Sequence, residues 1–93
     1  MLYFDQVAFG QRLKDLRAEK GLPQEAFAEE IGISASHYKH MESGSIGCSI
    51  DLLLVLSETF HVSTDYLLTG RSIERDEEIA ELKQKMIELV KRL

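Results

Sequence analysis

The stretch that decides the fold is residues 21–44, GLPQEAFAEEIGISASHYKHMESG. Apolar side chains recur at helical spacing on either side of Gly32, with Phe27, Ala28 and Ile31 before it and Tyr38 and Met41 after it. Pro23 suits the start of a helix. Gly32 stops that first segment, Ser34 can cap a second one, and Gly44 closes it. The spacing therefore predicts one helix from Pro23 or Gln24 to Ile31 and another from Ala35 to Glu42, joined by a tight turn. Two helices this short and this closely joined must cross steeply, and the second presents small polar residues outward. A pair of this kind is the usual device for setting a helix in the major groove of DNA.

Working outward, Asp5 can cap a helix over residues 6–20 that ends at Gly21, with Phe9, Leu13 and Leu16 as its buried stripe. The segment SIGCS (45–49) is a loop, and Ser49 caps a helix carrying Leu53, Leu56 and Phe60 inward. After a short His61-Val62 link, Ser63 caps a fifth helix with Leu67 and Leu68 inward and Gly70 at its end. No run alternates as a strand would require. Residues 1–70 are thus expected to form an all-α domain of five short helices, residues 71–76 a polar linker, and residues 77–93 a C-terminal amphipathic helix. In that last helix Ile79, Leu82, Met86, Leu89 and Leu93 follow the 3-4-3-4 spacing of a paired-helix seam, widened by Ile87 and Val90. The seam predicts a homodimer through the C-terminal helix. Folding back onto the chain's own domain, or docking a regulatory protein partner, are the alternatives.

A chain of 93 residues with 44% hydrophobic content makes one small domain with an appendage. The start, MLYFDQ, has neither the basic residues nor the apolar run of a secretion signal. No segment approaches the roughly 18 apolar residues that span a bilayer, and the single cysteine, Cys48, fits a reducing compartment. A cytoplasmic, nucleoid-associated protein without a membrane partner is expected. The sequence carries no Gly-rich phosphate loop and no nucleophile–base pairing, so enzymatic activity is not expected. His37, His40 and Cys48 lack a fourth ligand at suitable spacing, so neither a metal nor another cofactor is expected. The charge pulls against DNA. The net charge is −5, and all of it lies in residues 1–70, where five basic side chains (Arg12, Lys14, Arg17, Lys20, Lys39) face ten acidic ones.

The order of these signals resembles the phage-repressor and Cro-type helix-turn-helix regulators, the XRE-like family. The resemblance covers about residues 10–70 and is carried by RLKDLRAEKGL, QEAFAEEIGIS, the run SASHYKHMESG and FHVSTDYLLTG. It implies a lambda-repressor-like five-helix domain that binds double-stranded DNA through the helix beginning at Ser34. By the same resemblance Ala35, Ser36, Lys39 and His40 face bases or the adjacent backbone, and Gln24, Ser34 and Ser43 contact phosphates. Arg17 and Glu42 pair beneath the two helices and fix their angle. Ala35 can meet a thymine methyl, Ser36 several bases, and His40 a guanine acceptor. None reads a base bidentately, which leaves a larger share of the discrimination to DNA shape.

Two departures from the family pattern weaken electrostatic affinity. Pro23 replaces the usual Thr or Asn cap, and SIGCS lacks basic residues. With about two to four phosphates neutralised per monomer, the salt dependence should be shallow. The function implied is a sequence-specific transcriptional regulator of bacterial or phage origin, a repressor acting as a dimer. The −5 charge keeps a second function open, a protein-interaction module such as an antitoxin or an antagonist of a related regulator.

Overall fold

The computed structural model describes residues 3–71 and 73–93, with the side chains of residues 73–78 outside that description. Six helices follow one another: α1 (Gln6–Lys20), α2 (Gln24–Ile31), α3 (Ala35–Ser43), α4 (Ile50–Phe60), α5 (Thr64–Thr69) and α6 (Ile73–Lys91). Among the described residues there is no strand.

Short polar side chains set most of the helix starts. Asp5 accepts from the Ala8 amide, Ser34 from His37, Ser49 from Leu52 and Ser63 from Tyr66, all at 3.0–3.1 Å. The start of α2 is different, because Pro23 supplies no capping oxygen. The turn between α2 and α3 depends on Gly32 at φ +80°, a conformation that a side chain would strain. It lets the Gly32 amide bond to the Glu29 carbonyl and the Ile33 amide to the Ala28 carbonyl, closing the helix in three residues.

The apolar faces of α1 to α5 meet in one core made of Phe9, Leu13, Phe27, Ala28, Tyr38, Met41, Leu52, Leu56 and Leu67. Burying a side chain of this size stabilises the fold by about 1.5–3 kcal/mol. Phe27 stands at the centre, stacked on Phe60 with ring centroids 4.9 Å apart and tilted against Tyr38 at 5.1 Å. α3 packs on both α1 and α2, and α5 on both α1 and α4, so the helix pair is held from behind by the first helix.

The structure differs from the sequence-based expectation at two elements. On α4 the most buried residues are Leu52 and Leu56, while Leu53 and Phe60 are only half-buried. The run LLLVL at 52–56 has apolar residues on every side, so contact with α2 and α5, and not periodicity, sets the helix's rotation. Where the sequence predicts a linker over residues 71–76 and a helix over 77–93, α6 runs from Ile73 to Lys91, so Leu93 lies beyond its end. The sequence IERDEE contains no Gly or Pro, and its acids favour a helix N-terminus, so nothing there delays the helix. From Ile79 onward every residue of the chain is exposed, Leu82 by 60% and Leu89 by 63%, so the α6 stripe is not folded back on the domain. No described helix is long and apolar enough to cross a membrane.

Candidate nucleic-acid interface

The α2–α3 pair rests on an ion pair beneath it. Arg17 on α1 donates through Nε to Glu42 Oε1 at 2.6 Å and through its Nη2 to Oε2 at 3.2 Å. A third donor of the same guanidinium holds the Leu22 carbonyl at 2.9 Å, so Arg17 ties α1, the α1–α2 loop and α3 together. Glu42 is nearly closed off, with 4% of its side chain exposed against 15% for Arg17. Burial pushes the Glu42 carboxyl up, but the hydrogen bonds from Arg17 and Gln24 and the guanidinium charge outweigh it and hold the group below its ordinary value. The Tyr38 hydroxyl lies buried beside this pair with no hydrogen-bond partner among the described residues. Burial, with the neighbouring Glu42 carboxylate, pushes that phenol far up.

Gln24 enters the same network. Its Nε2 donates to Glu42 Oε2 at 2.6 Å, so an amide expected to reach a phosphate is anchored from behind. An amide nitrogen carries two hydrogens, and this bond uses one. The geometry thus orients Gln24 at the uncapped amino end of α2, where backbone N–H groups favour an anion.

On the outer side of α3, Ser36, His37, Lys39 and His40 are exposed, whereas Ala35 is half-buried against the core. Ala35 opens the helix next to the turn, which draws its methyl inward and leaves it less accessible than Ser36. Ser34 uses its oxygen as the α3 cap. The Ser43 hydroxyl donates to the His40 carbonyl at 2.9 Å. The His40 Nδ1 lies 3.1 Å from Ser45 Oγ, a contact that engages one of the two ring nitrogens. Ser45 was not singled out from the sequence, where a loop serine two residues beyond the helix carries no signal of its own.

The structure also shows where the few cations go. Arg17 is held by Glu42, Lys20 lies 3.9 Å from Glu30, and Lys39 Nζ lies 3.0 Å from Glu25 Oε1. Arg12 turns inward and donates to the Leu67 carbonyl at 2.9 Å, tying α1 to α5. Of the five basic residues in 1–70, three have carboxylate partners and a fourth is bonded to the backbone. Glu25 was likewise unremarked in the sequence, where it reads only as an acid suited to a helix's first turn.

These features define a small helical module in which the exposed face of α3 is held at a fixed angle by an ion pair beneath it. Residues 13–67 match the helix-turn-helix family. The chain is 38% identical over 68 residues to the SPbeta prophage-derived HTH-type transcriptional regulator YonR of Bacillus subtilis strain 168, covering 73% of this chain and 63% of YonR. It is 31% identical over 87 residues to the HTH-type transcriptional regulator ImmR of the same strain, covering 94% of this chain and 68% of ImmR. Among solved structures, the P22 c2 repressor in complex with a synthetic operator superposes with a TM-score of 0.64 at 28% identity, covering 68% of this chain and 96% of that one. The chain belongs to the helix-turn-helix family. It spans 63% of the length of YonR and 68% of ImmR.

Proposed function

We propose that this protein is a DNA-binding transcriptional regulator, a repressor of bacterial or phage type, that seats α3 in the major groove. The observation that carries this reading is the α2–α3 pair itself, braced by Arg17, Glu42 and Gln24 and exposing Ser36, His37, Lys39 and His40 on one face. Ser36 and His40 read base edges, Lys39 reaches the adjacent backbone, and Ala35 offers a methyl at the margin. Gln24, with the free amides of α2, clamps a phosphate, while Ser34 and Ser43 sit at the two ends of α3 as further backbone contacts. The P22 c2 repressor, crystallised on a synthetic operator, supports the choice of ligand. The reading is of a cytoplasmic, nucleoid-associated binding protein and not an enzyme.

Residues 1–70 act as the DNA-binding domain, and the C-terminal segment joins two copies through Ile79, Leu82, Met86 and Leu89 on α6 and Leu93 just beyond it. The exposure of this stripe supports the pairing. A two-fold dimer sets two α3 helices about 34 Å apart, one helical turn of DNA, and represses by occupying a near-palindromic operator.

Selection from fragmented genomic DNA with the full chain tests this. The wild type should enrich one inverted repeat, and Ser36→Ala/His40→Ala should lose it while remaining folded. A second reading is favoured by the −5 charge, namely a protein-interaction module that uses its acidic surface and α6 against a protein partner. Failure of the wild type to enrich any sequence at low salt would select that reading.

A further inference from the structure

We infer that Glu25 occupies, in the free protein, the place of a DNA phosphate, holding Lys39 in an internal ion pair that must open for the interface to form. This rests on the DNA-binding reading above and names a residue that limits the affinity of that site. Lys39 Nζ and Glu25 Oε1 are 3.0 Å apart, and the two side chains are 50% and 64% exposed. An ion pair this exposed adds little to folding, so the fold does not depend on it. It joins the first turn of α2 to the outer side of α3, the two surfaces between which a phosphate would sit.

The Glu25 carboxylate also lies at the end of α2 that has no capping side chain. The Lys39 ammonium first, and the Glu25 backbone amide second, hold its carboxyl below the ordinary range. An anion is therefore already present where Gln24 and the α2 amides would receive the DNA backbone. Lys39 is the sole lysine or arginine within α3, so its engagement removes that helix's only fixed positive charge from the interface. A phosphate arriving at this corner has to displace the carboxylate from Lys39 and then remain beside it. Together these two requirements weaken binding and flatten its salt dependence.

The test is a double-variant comparison on the selected operator, by fluorescence anisotropy across a range of KCl concentrations, with the full chain. Glu25→Gln should bind about tenfold more tightly at low salt, and the slope of log K against log salt should steepen by about 0.9 per protomer as one more cation engages phosphate. In a Lys39→Gln background the same substitution should give a much smaller gain. Equal affinity and slope for Glu25→Gln and the wild type would overturn the inference. So would an equal gain with and without Lys39, which would make Glu25 a source of general repulsion only. If neither the wild type nor Glu25→Gln binds any DNA, the DNA-binding reading itself falls, an outcome distinct from the other two.

Discussion

The Glu42 carboxylate accepts from Arg17 on one side and Gln24 on the other, at 2.6 Å in each case. Removing Arg17 leaves a carboxylate that is 4% exposed with Gln24 as its remaining donor. Breaking a buried pair from one side costs roughly 3–5 kcal/mol, and the partial exposure of Arg17 argues for the lower end. Arg17→Met should therefore destabilise the domain by about 3 kcal/mol at pH 7, read from urea unfolding. Arg17→Met/Glu42→Leu should recover most of that loss, because no charge is then stranded. The pH dependence follows from the depressed carboxyl of Glu42. A depressed group stabilises above its unfolded value, near 4.5, and loses that contribution as the pH falls through its lower folded value. The gap between wild type and Arg17→Met should accordingly narrow below pH 4.5, and a gap independent of pH would show that Arg17 acts by packing alone. At this scale the resemblance pointed to the contact between Arg17 and Glu42 and singled out Gln24. The bond between Gln24 and Glu42 was not legible, since spacing along one helix says nothing about a partner 18 residues away on another. The pairing of Glu25 with Lys39 was hidden for the same reason.

Between elements, the tightest approach is that of α1 to α3. A methyl group at Gly10 would lie 2.5 Å from the Met41 carbonyl oxygen and closer still to that of Glu42, so the two helices touch backbone to side of backbone. Gly10→Ala sets two effects against each other. Alanine favours the helix by up to about 1 kcal/mol, whereas overpacking against an immovable backbone typically costs 1–3 kcal/mol and occasionally more. Because the obstacles are carbonyls of a neighbouring helix, the clash should prevail. Gly10→Ala is expected to lower stability by about 2 kcal/mol and to weaken DNA binding by tilting α3. An unchanged or raised melting temperature would show that α1 can slide past α3. The boundaries of α1 to α5 were legible because each capping choice is local. Ser or Asp before a helix and glycine after it mark the ends of α1, α3 and α5, and among α1 to α5 only α4 closes without glycine, on His61 at φ +56°. The α1–α3 crossing was not legible, because Gly10 reads in sequence as a poor helix former and not as a contact. The rotation of α4 escaped as well, since five consecutive apolar residues give no preferred face.

For the whole molecule, the shortage of free cations is a matter of affinity, and the remedy lies in valency. A monomer with few phosphate contacts binds weakly and with a shallow salt slope. Joining two domains makes the second contact intramolecular and can raise overall affinity by a factor of about 10²–10⁴. The 19 residues of α6 form a helix about 28 Å long by the standard rise per residue. Its stripe of Ile79, Leu82, Met86 and Leu89, with Leu93 just beyond the helix end, is open to solvent in the single chain. Leu82→Asp/Leu89→Asp places two charges in the seam of each copy while touching residues already 60% and 63% exposed, so the five-helix domain should keep its unfolding midpoint. Sedimentation equilibrium should then report a monomer of 10.6 kDa where the wild type reports twice that mass. Operator affinity should fall by a factor of about 100 or more, while each domain's weak binding to a half-site persists. A dimer that survives both substitutions with its DNA binding intact would move the interface elsewhere on the molecule. The exposed Ile50 and Leu54 on α4, which lie one turn apart, would then be the surface to alter next.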